Sequence, residues 1–358
     1  MRRLTASLLL LALTAPVPAK AEPALSKTVR DWTAYCDNLR NCSAFGYATT
    51  LDEELLGAWI TIARDGAADA APTVLIGMTL ASDTAPTDAN FELAFDDAKA
   101  AGLAEPIAAS EGDAGAMTAT IPAASVPSFL AALRKAGFLK ATLKDATSTQ
   151  TATISLSGAT GALLWIDEAQ ERLGTVTALI RSGPKPASSV PPPPAMPIIQ
   201  AAKPVEGAVP AAPSAPAQKK LLGEDCTGAV GDSPIDPIIG RLDAHRVLYG
   251  LFCDAGAYNY DYSFFVATDG GPLKPISLDV PAPIQDDASS GSLVNPDFDA
   301  KTLQLSSFAK GRGIGDCGSI GEWVWDGSVF RMLSYQALDD CNGVPSTYWP
   351  MLYRARIE

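Results

Sequence analysis

Few side chains in this sequence are suited to covalent or acid–base chemistry, and their spacing narrows the field further. His245 is the sole histidine among 358 residues and stands between Ala244 and Arg246, with no G-x-S-x-G segment anywhere. A serine nucleophile would lack the oriented base that a triad requires, and a surface or capping role is expected for the imidazole. The six cysteines, Cys36, Cys42, Cys226, Cys253, Cys317 and Cys341, include no C-x2-C pair. With one histidine, that argues against zinc. An even cysteine count points instead to disulfides, which leave no thiolate for catalysis.

Carboxylates remain. Asp316, Glu322 and Asp326 lie close together in sequence, and a pair of carboxyls flanking a glycosidic bond is enough for hydrolysis. Simpler roles are expected for them: Asp316 caps a bend, Glu322 faces Arg331 across a hairpin and Asp326 shapes the turn. Asp286-Asp287 and the pair Asp297 and Asp299 offer oxygens to calcium, but the distant glutamate of an EF-hand loop is missing, so a solvated loop is expected. No catalytic residue, metal or cofactor is assigned.

The acidic trio belongs to residues 303–333, around which the C-terminal part is organised. Asp326-Gly327 between two apolar runs predicts a type I′ hairpin. A two-residue loop pairs Trp325 with Ser328, Val324 with Val329, Trp323 with Phe330 and Glu322 with Arg331. Trp323, Trp325, Phe330 and Met332 then share one face, where each cross-strand aromatic pair contributes roughly 0.2–1 kcal/mol. Upstream, Gly311-Arg312-Gly313-Ile314-Gly315 has the glycines of a dinucleotide fingerprint without the helix that motif must open. A bend tightened by a disulfide is expected there, with Arg312, Asp316 and Tyr260 as the candidate binding rim. Tyr258, Tyr260 and Tyr262 alternate; such a stripe can stack on sugars, but period-2 aromatics more commonly line the buried side of a sheet.

The N-terminus carries Arg2 and Arg3, an apolar run over 6–13 and Ala19-Lys20-Ala21, the layout of a signal peptide cut after Ala21. The run falls far short of the about 20 residues that span a bilayer, so no transmembrane helix is expected. Removing Arg2, Arg3 and Lys20 with residues 1–21 takes the formal charge from −13 to −16. Such a surface repels nucleic acid and anionic lipid, and suits a basic protein or a neutral glycan of the cell envelope. Export places the protein in the periplasm or outside the cell, where cysteines oxidise. Sequence leaves the connectivity open; bridges between neighbours are favoured, each contributing on the order of 2–4 kcal/mol.

Between residues 183 and 220 the composition turns to proline and alanine, including four consecutive prolines at 191–194. An extended spacer of about 3.1 Å per residue would hold two domains up to roughly 100 Å apart. The fold class is therefore mainly β. A β-sandwich with two short helices is expected over 29–182, and an antiparallel, disulfide-bonded β-meander over 221–358. In the first domain, strand-like runs fall at 31–36, 42–47, 58–63, 73–80, 91–95, 116–121, 141–143 and 151–156. Ser125 starts a helix burying Phe129, Leu130 and Leu133. Asp167 caps a second helix over 168–173, followed by a strand over 175–180.

Asp31-Trp32 with Cys36 and Cys42, the segment Ser155-Leu156-Ser157-Gly158-Ala159 and Trp165-Ile166-Asp167-Glu168-Ala169-Gln170 resemble the N-terminal half of the domain of unknown function 1176 family. Its members are exported and share six cysteines. Gly256-Ala257-Tyr258-Asn259, the segment from Lys310 to Gly318 and Trp323-Val324-Trp325-Asp326-Gly327 resemble the distal half. The N-terminal domain is also similar, through its tryptophan and cysteines, to the β-sandwich of the invasion-associated locus B family. Neither resemblance supplies a catalytic residue; both imply an envelope protein of unassigned role. The expected function is a non-enzymatic binding module, in a sharper form an inhibitor of a basic hydrolase such as lysozyme. The alternative is a glycan-acting enzyme using Asp316, Glu322 and Asp326.

Overall fold

The computed structural model describes residues 25–358 except 83–84, 97, 100–102, 104, 224–225, 227–228 and 231–232. The expected signal peptide, residues 1–21, lies outside the described residues. The chain is mainly β, built from several antiparallel sheets. Among the described residues no helix is long and apolar enough to cross a membrane.

In the N-terminal part, strands connect into one twelve-strand network. Strand Cys42–Leu51 ties it together by pairing Trp32–Cys36 with its first half and Thr149–Ser155 with its second. The central strands are buried on both faces. One face of Trp32–Cys36, Cys42–Leu51 and Leu55–Arg64 sends Ala34, Ala44, Ala58, Ile60 and Ile62 into a local core with Phe91, Phe129 and Leu163. The alternate positions, Tyr35, Phe45, Tyr47 and Trp59, enter a second core with Trp323, Phe330, Tyr335 and Trp349 from the C-terminal part. Fully burying one such aromatic is worth roughly 1.5–3 kcal/mol, so this shared core binds the halves strongly.

The expectation of two lobes held apart by a spacer is therefore corrected. Val190 and Ile199 are only 5% and 8% exposed, and Ile198–Ile199 pairs in parallel with Arg356–Ile357. The Ala202 amide donates to the Trp325 carbonyl at 2.8 Å. Proline removes donors and fixes φ, which favours an extended strand, but the interspersed apolar residues give that strand a surface to lie on. The C-terminal part also departs from a single meander, forming two five-strand sheets. One contains Arg246–Ala255 and Tyr260–Thr268, the other Gln304–Lys310, Gly318–Trp325 and Phe330–Leu338.

Helix Val126–Leu133 buries Phe129, Leu130 and Leu133 as expected. The second helix runs earlier than expected, Ala159–Ala169, because Ala159, Ala162, Leu163 and Ile166 form its buried stripe. Asp167 lies in its last turns instead of capping its start, and residues 175–180 form turns pinned by that carboxylate, not a strand.

The halves meet closely where Gly57 faces Asn342 and Gly343. A Cβ at Gly343, whose φ is +75°, would lie 2.5 Å from the Gly57 Cα. Gly343→Ala should therefore lower stability by about 2–4 kcal/mol, combining left-handed strain with overlap. Gly327→Ala, also at positive φ but with nothing within 4 Å of the added carbon, should cost only about 1–2 kcal/mol. Urea melts of both variants check the difference; equal losses would mean that the contact between the halves carries no weight.

Candidate functional site

The structure bonds Cys36 to Cys42, Cys226 to Cys253 and Cys317 to Cys341. The last bridge joins the glycine-rich bend to the loop containing Gly343. Around it, the Gly343 amide donates to Asp316 Oδ2 at 2.6 Å, and Thr79 Oγ1 donates to the Gly343 carbonyl at 2.5 Å. Thr33 Oγ1 donates to Asp340 Oδ2 at 3.2 Å. Bend and loop together form a clasp that fixes the C-terminal sheets to the N-terminal one.

Of the rim residues, Asp316 belongs to this clasp and is only 3% exposed. It also holds Arg312 Nε at 2.6 Å. Burial pushes its carboxyl up, but the Arg312 guanidinium and the Gly343 amide outweigh that and hold it below the usual carboxylate range. Arg312 is half-exposed beside it. Tyr260 is exposed and packs edge-on against Phe252 with ring centroids 6.0 Å apart. Of the tyrosine stripe only Tyr262 is buried; Tyr258 is exposed and its hydroxyl donates to the Gly311 carbonyl at 3.1 Å.

The structure does not gather Asp316, Glu322 and Asp326 around a common space. Glu322 accepts from Ser334 Oγ at 2.6 Å and does not face Arg331. Asp326 Oδ1 accepts from the Ser328 and Val329 amides at 2.7 and 2.8 Å, and its Oδ2 from Arg331 Nε at 2.8 Å. Partial burial pushes the Asp326 carboxyl up, yet the Val329 amide and Arg331 outweigh it and bring it down to about 2. By engaging two amides, this side chain widens the expected two-residue loop. The hairpin pairs Trp325 with Phe330, Val324 with Arg331 and Trp323 with Met332, with a bulge beyond, which corrects the expected register. The aromatic face survives because the shift preserves its parity. His245 is exposed and its Nδ1 lies 2.7 Å from Asp269 Oδ1, a surface pair that includes none of the trio.

A concavity that the sequence did not reveal opens where the two C-terminal sheets meet. Its volume is about 590 Å³, and Asp261, Asp286, Asp287, Ser292, Ser319 and Tyr335 contribute its polar lining. Strand alternation turns Asp261 to the side opposite Tyr260 and Tyr262. A one-turn helix, Asp287–Ser290, places the two consecutive aspartates, and Asp286 caps it by accepting from the Ala288 amide at 2.9 Å. The other oxygen of Asp286 accepts from the Tyr335 hydroxyl at 2.9 Å. Burial, and then the carboxylate of Asp286, push the Tyr335 phenol well above its ordinary value.

Among the described residues, no lysine, arginine or histidine lines this cleft. Burial raises the Asp261 carboxyl, and repulsion from Asp254 and Asp287 raises it further. The cleft can therefore take a hydrogen-bond donor or a cation, which would relieve that repulsion. Among the described residues no group of three His, Cys, Asp or Glu side chains is placed to hold a metal ion.

The sign of the Asp261 shift has a consequence for stability. A carboxyl whose folded pKa lies above its unfolded value holds its proton more tightly in the native state, so its charge opposes folding above that window. Stability from this group rises as pH falls from the folded towards the unfolded pKa. Asp261→Asn should raise Tm at pH 7 by roughly 1–3 °C. A calorimetric scan showing a lower Tm would mean that the carboxylate supports the scaffold.

A family model described as Protein of unknown function (DUF1176) matches residues 26–356. Uncharacterized protein YpfG from Escherichia coli (strain K12) is 34% identical over 213 residues, which cover 57% of this chain and 60% of that protein. The chain thus spans less than two thirds of the length of this curated relative.

Proposed function

Because the chain belongs to the DUF1176 family of proteins of unknown function, its chemistry has to be read from its own residues, and we propose that it is an exported binding protein for a cationic partner. The partner is a basic protein of the envelope, which places a lysine or arginine side chain in the acidic cleft. One observation carries this reading: Asp261, Asp286 and Asp287 line a cleft of about 590 Å³ that has no basic side chain in its lining among the described residues. A bound ammonium or guanidinium would supply the missing counter-charge, while the serines and Tyr335 offer hydroxyls to its remaining polar groups. The acidic surface as a whole supports the same class of partner by steering basic proteins towards it.

The glycan-acting alternative draws no support from its proposed carboxylates, since turn amides, Ser334 and two arginines engage them. A neutral glycan would also leave the repulsion at Asp261 unrelieved. The sharper form of the proposal is inhibition of a basic hydrolase such as lysozyme.

Isothermal titration of the mature protein with hexalysine tests the class. Saturable binding that weakens steeply with salt is expected. Absence of binding at low salt would refute the proposal. Lysozyme activity measured in the presence of the protein tests the sharper form, and undiminished activity would remove it.

A further inference from the structure

A second groove, with the opposite electrostatic character, lies on the C-terminal part beside the hairpin turn. We propose that it binds a small organic anion, a carboxylate on an apolar, planar body. The groove measures about 300 Å³, and Arg246, Lys274, Val266, Ile276, Trp325 and Phe330 are among the residues that line it. That size suits a small ligand and excludes a folded partner.

Three observations point to an anion. First, among the described residues two cations and no carboxylate line the groove, although the chain carries 40 acidic residues against 27 basic ones. The nearest candidates to neutralise it are committed elsewhere: Asp326 engages Arg331 and the turn amides. Asp243 pairs with Arg246 at 2.6 Å, but it lies outside the groove and leaves Lys274 uncompensated there.

Second, Trp325 lines the groove and is only 3% exposed, and its buried indole N–H has no hydrogen-bond partner among the described residues. A buried donor left unpaired is costly, and an acceptor delivered by a ligand would remove that cost. Third, the Arg246 guanidinium sits 4.9 Å from the centroid of the same indole. Stacking and the Asp243 pair together hold this planar cation over the indole ring. A carboxylate has two oxygens to divide between the indole N–H and the cations, while Val266, Ile276 and Phe330 receive an apolar body.

The test uses the mature protein, phenylacetate as the anionic probe and 2-phenylethanol as its uncharged counterpart, followed by proton–nitrogen NMR of the tryptophan indoles. Trp325→Phe assigns the resonance. Millimolar phenylacetate should shift the Trp325 indole signal saturably, and 2-phenylethanol should not. Lys274→Ala, at an exposed strand end, should retain the fold and weaken phenylacetate binding at least about fivefold. The proposal is overturned by an unmoved indole signal, by equal binding of the two probes, or by full affinity in Lys274→Ala.

Discussion

Replacing Asp167 by alanine is expected to cost the folded chain about 3–5 kcal/mol. Asp167 is fully buried, and its Oδ1 accepts from Arg64 Nη2 and from the Leu179 amide, each at 2.8 Å, while its Oδ2 accepts from the Ile180 amide at 2.8 Å. The surrounding donors are equally committed. Gln170 Oε1 accepts from Arg64 Nε at 2.7 Å and from Arg172 Nε at 3.1 Å. Arg172 donates onwards to the Ala67 and Ala68 carbonyls. Burial, and then the charge of Arg64, push the Arg172 guanidinium down to about 10. Arg64 thus depends on one buried carboxylate, whose charge also favours Arg172 together with that of Asp69. Removing it leaves Arg64 unpaired and two amides unsatisfied, a loss that no relaxation of the loop at 175–180 can recover without admitting water. Urea denaturation measures this cost directly. A loss below about 1 kcal/mol would place the network among those whose desolvation cancels their attraction.

The second large effect concerns binding. Neutralising the cleft with Asp261→Asn, Asp286→Asn and Asp287→Asn together should weaken hexalysine at least about thirtyfold, or roughly 2 kcal/mol, at low salt. It should also flatten the dependence on ionic strength. Neutralising the exposed Glu53, Glu92 and Glu111 serves as the counterpart, because it removes the same formal charge from the surface without touching the cleft. If both triple variants bind equally weakly, net charge alone attracts the peptide and the cleft is not its seat. Titration of each protein, after a melt confirms that it is folded, separates these cases.

Local structure was legible in the sequence wherever local chemistry decides it. The burial of Phe129, Leu130 and Leu133 follows from helical spacing, and the aromatic face of the hairpin survives a register shift because alternation depends only on parity. The register itself was not legible, since it turns on whether the Asp326 side chain takes up turn amides. The merger of the two halves had a signal that the proline-rich segment obscured. Tyr35, Phe45, Tyr47 and Trp59 alternate with Ala34, Ala44 and Ala58, so these strands are apolar on both faces, whereas a sandwich standing alone exposes one. Composition marked 183–220 as extended but could not show that Val190 and Ile199 have a surface to lie on.

The acidic cleft is a harder case. Asp261 reads as the polar side of a tyrosine stripe, and Asp286 with Asp287 reads as a solvated turn. Only the packing of two sheets brings them to one concavity, and no spacing rule connects a strand to a distant loop. The clasp had the same obstacle. Asp316 looks like a rim residue until the Cys317–Cys341 bridge brings the Gly343 amide to it.

The central claim, that a cation occupies the cleft beside Asp261, is tested most directly by following the side-chain carboxyl carbon of Asp261 by NMR through a pH titration, with and without hexalysine. Binding and proton release are reciprocally linked, so a cation seated there must lower the Asp261 pKa towards its ordinary value as it relieves the repulsion from Asp254 and Asp287. An Asp261 pKa that stays raised while hexalysine is bound would contradict the account.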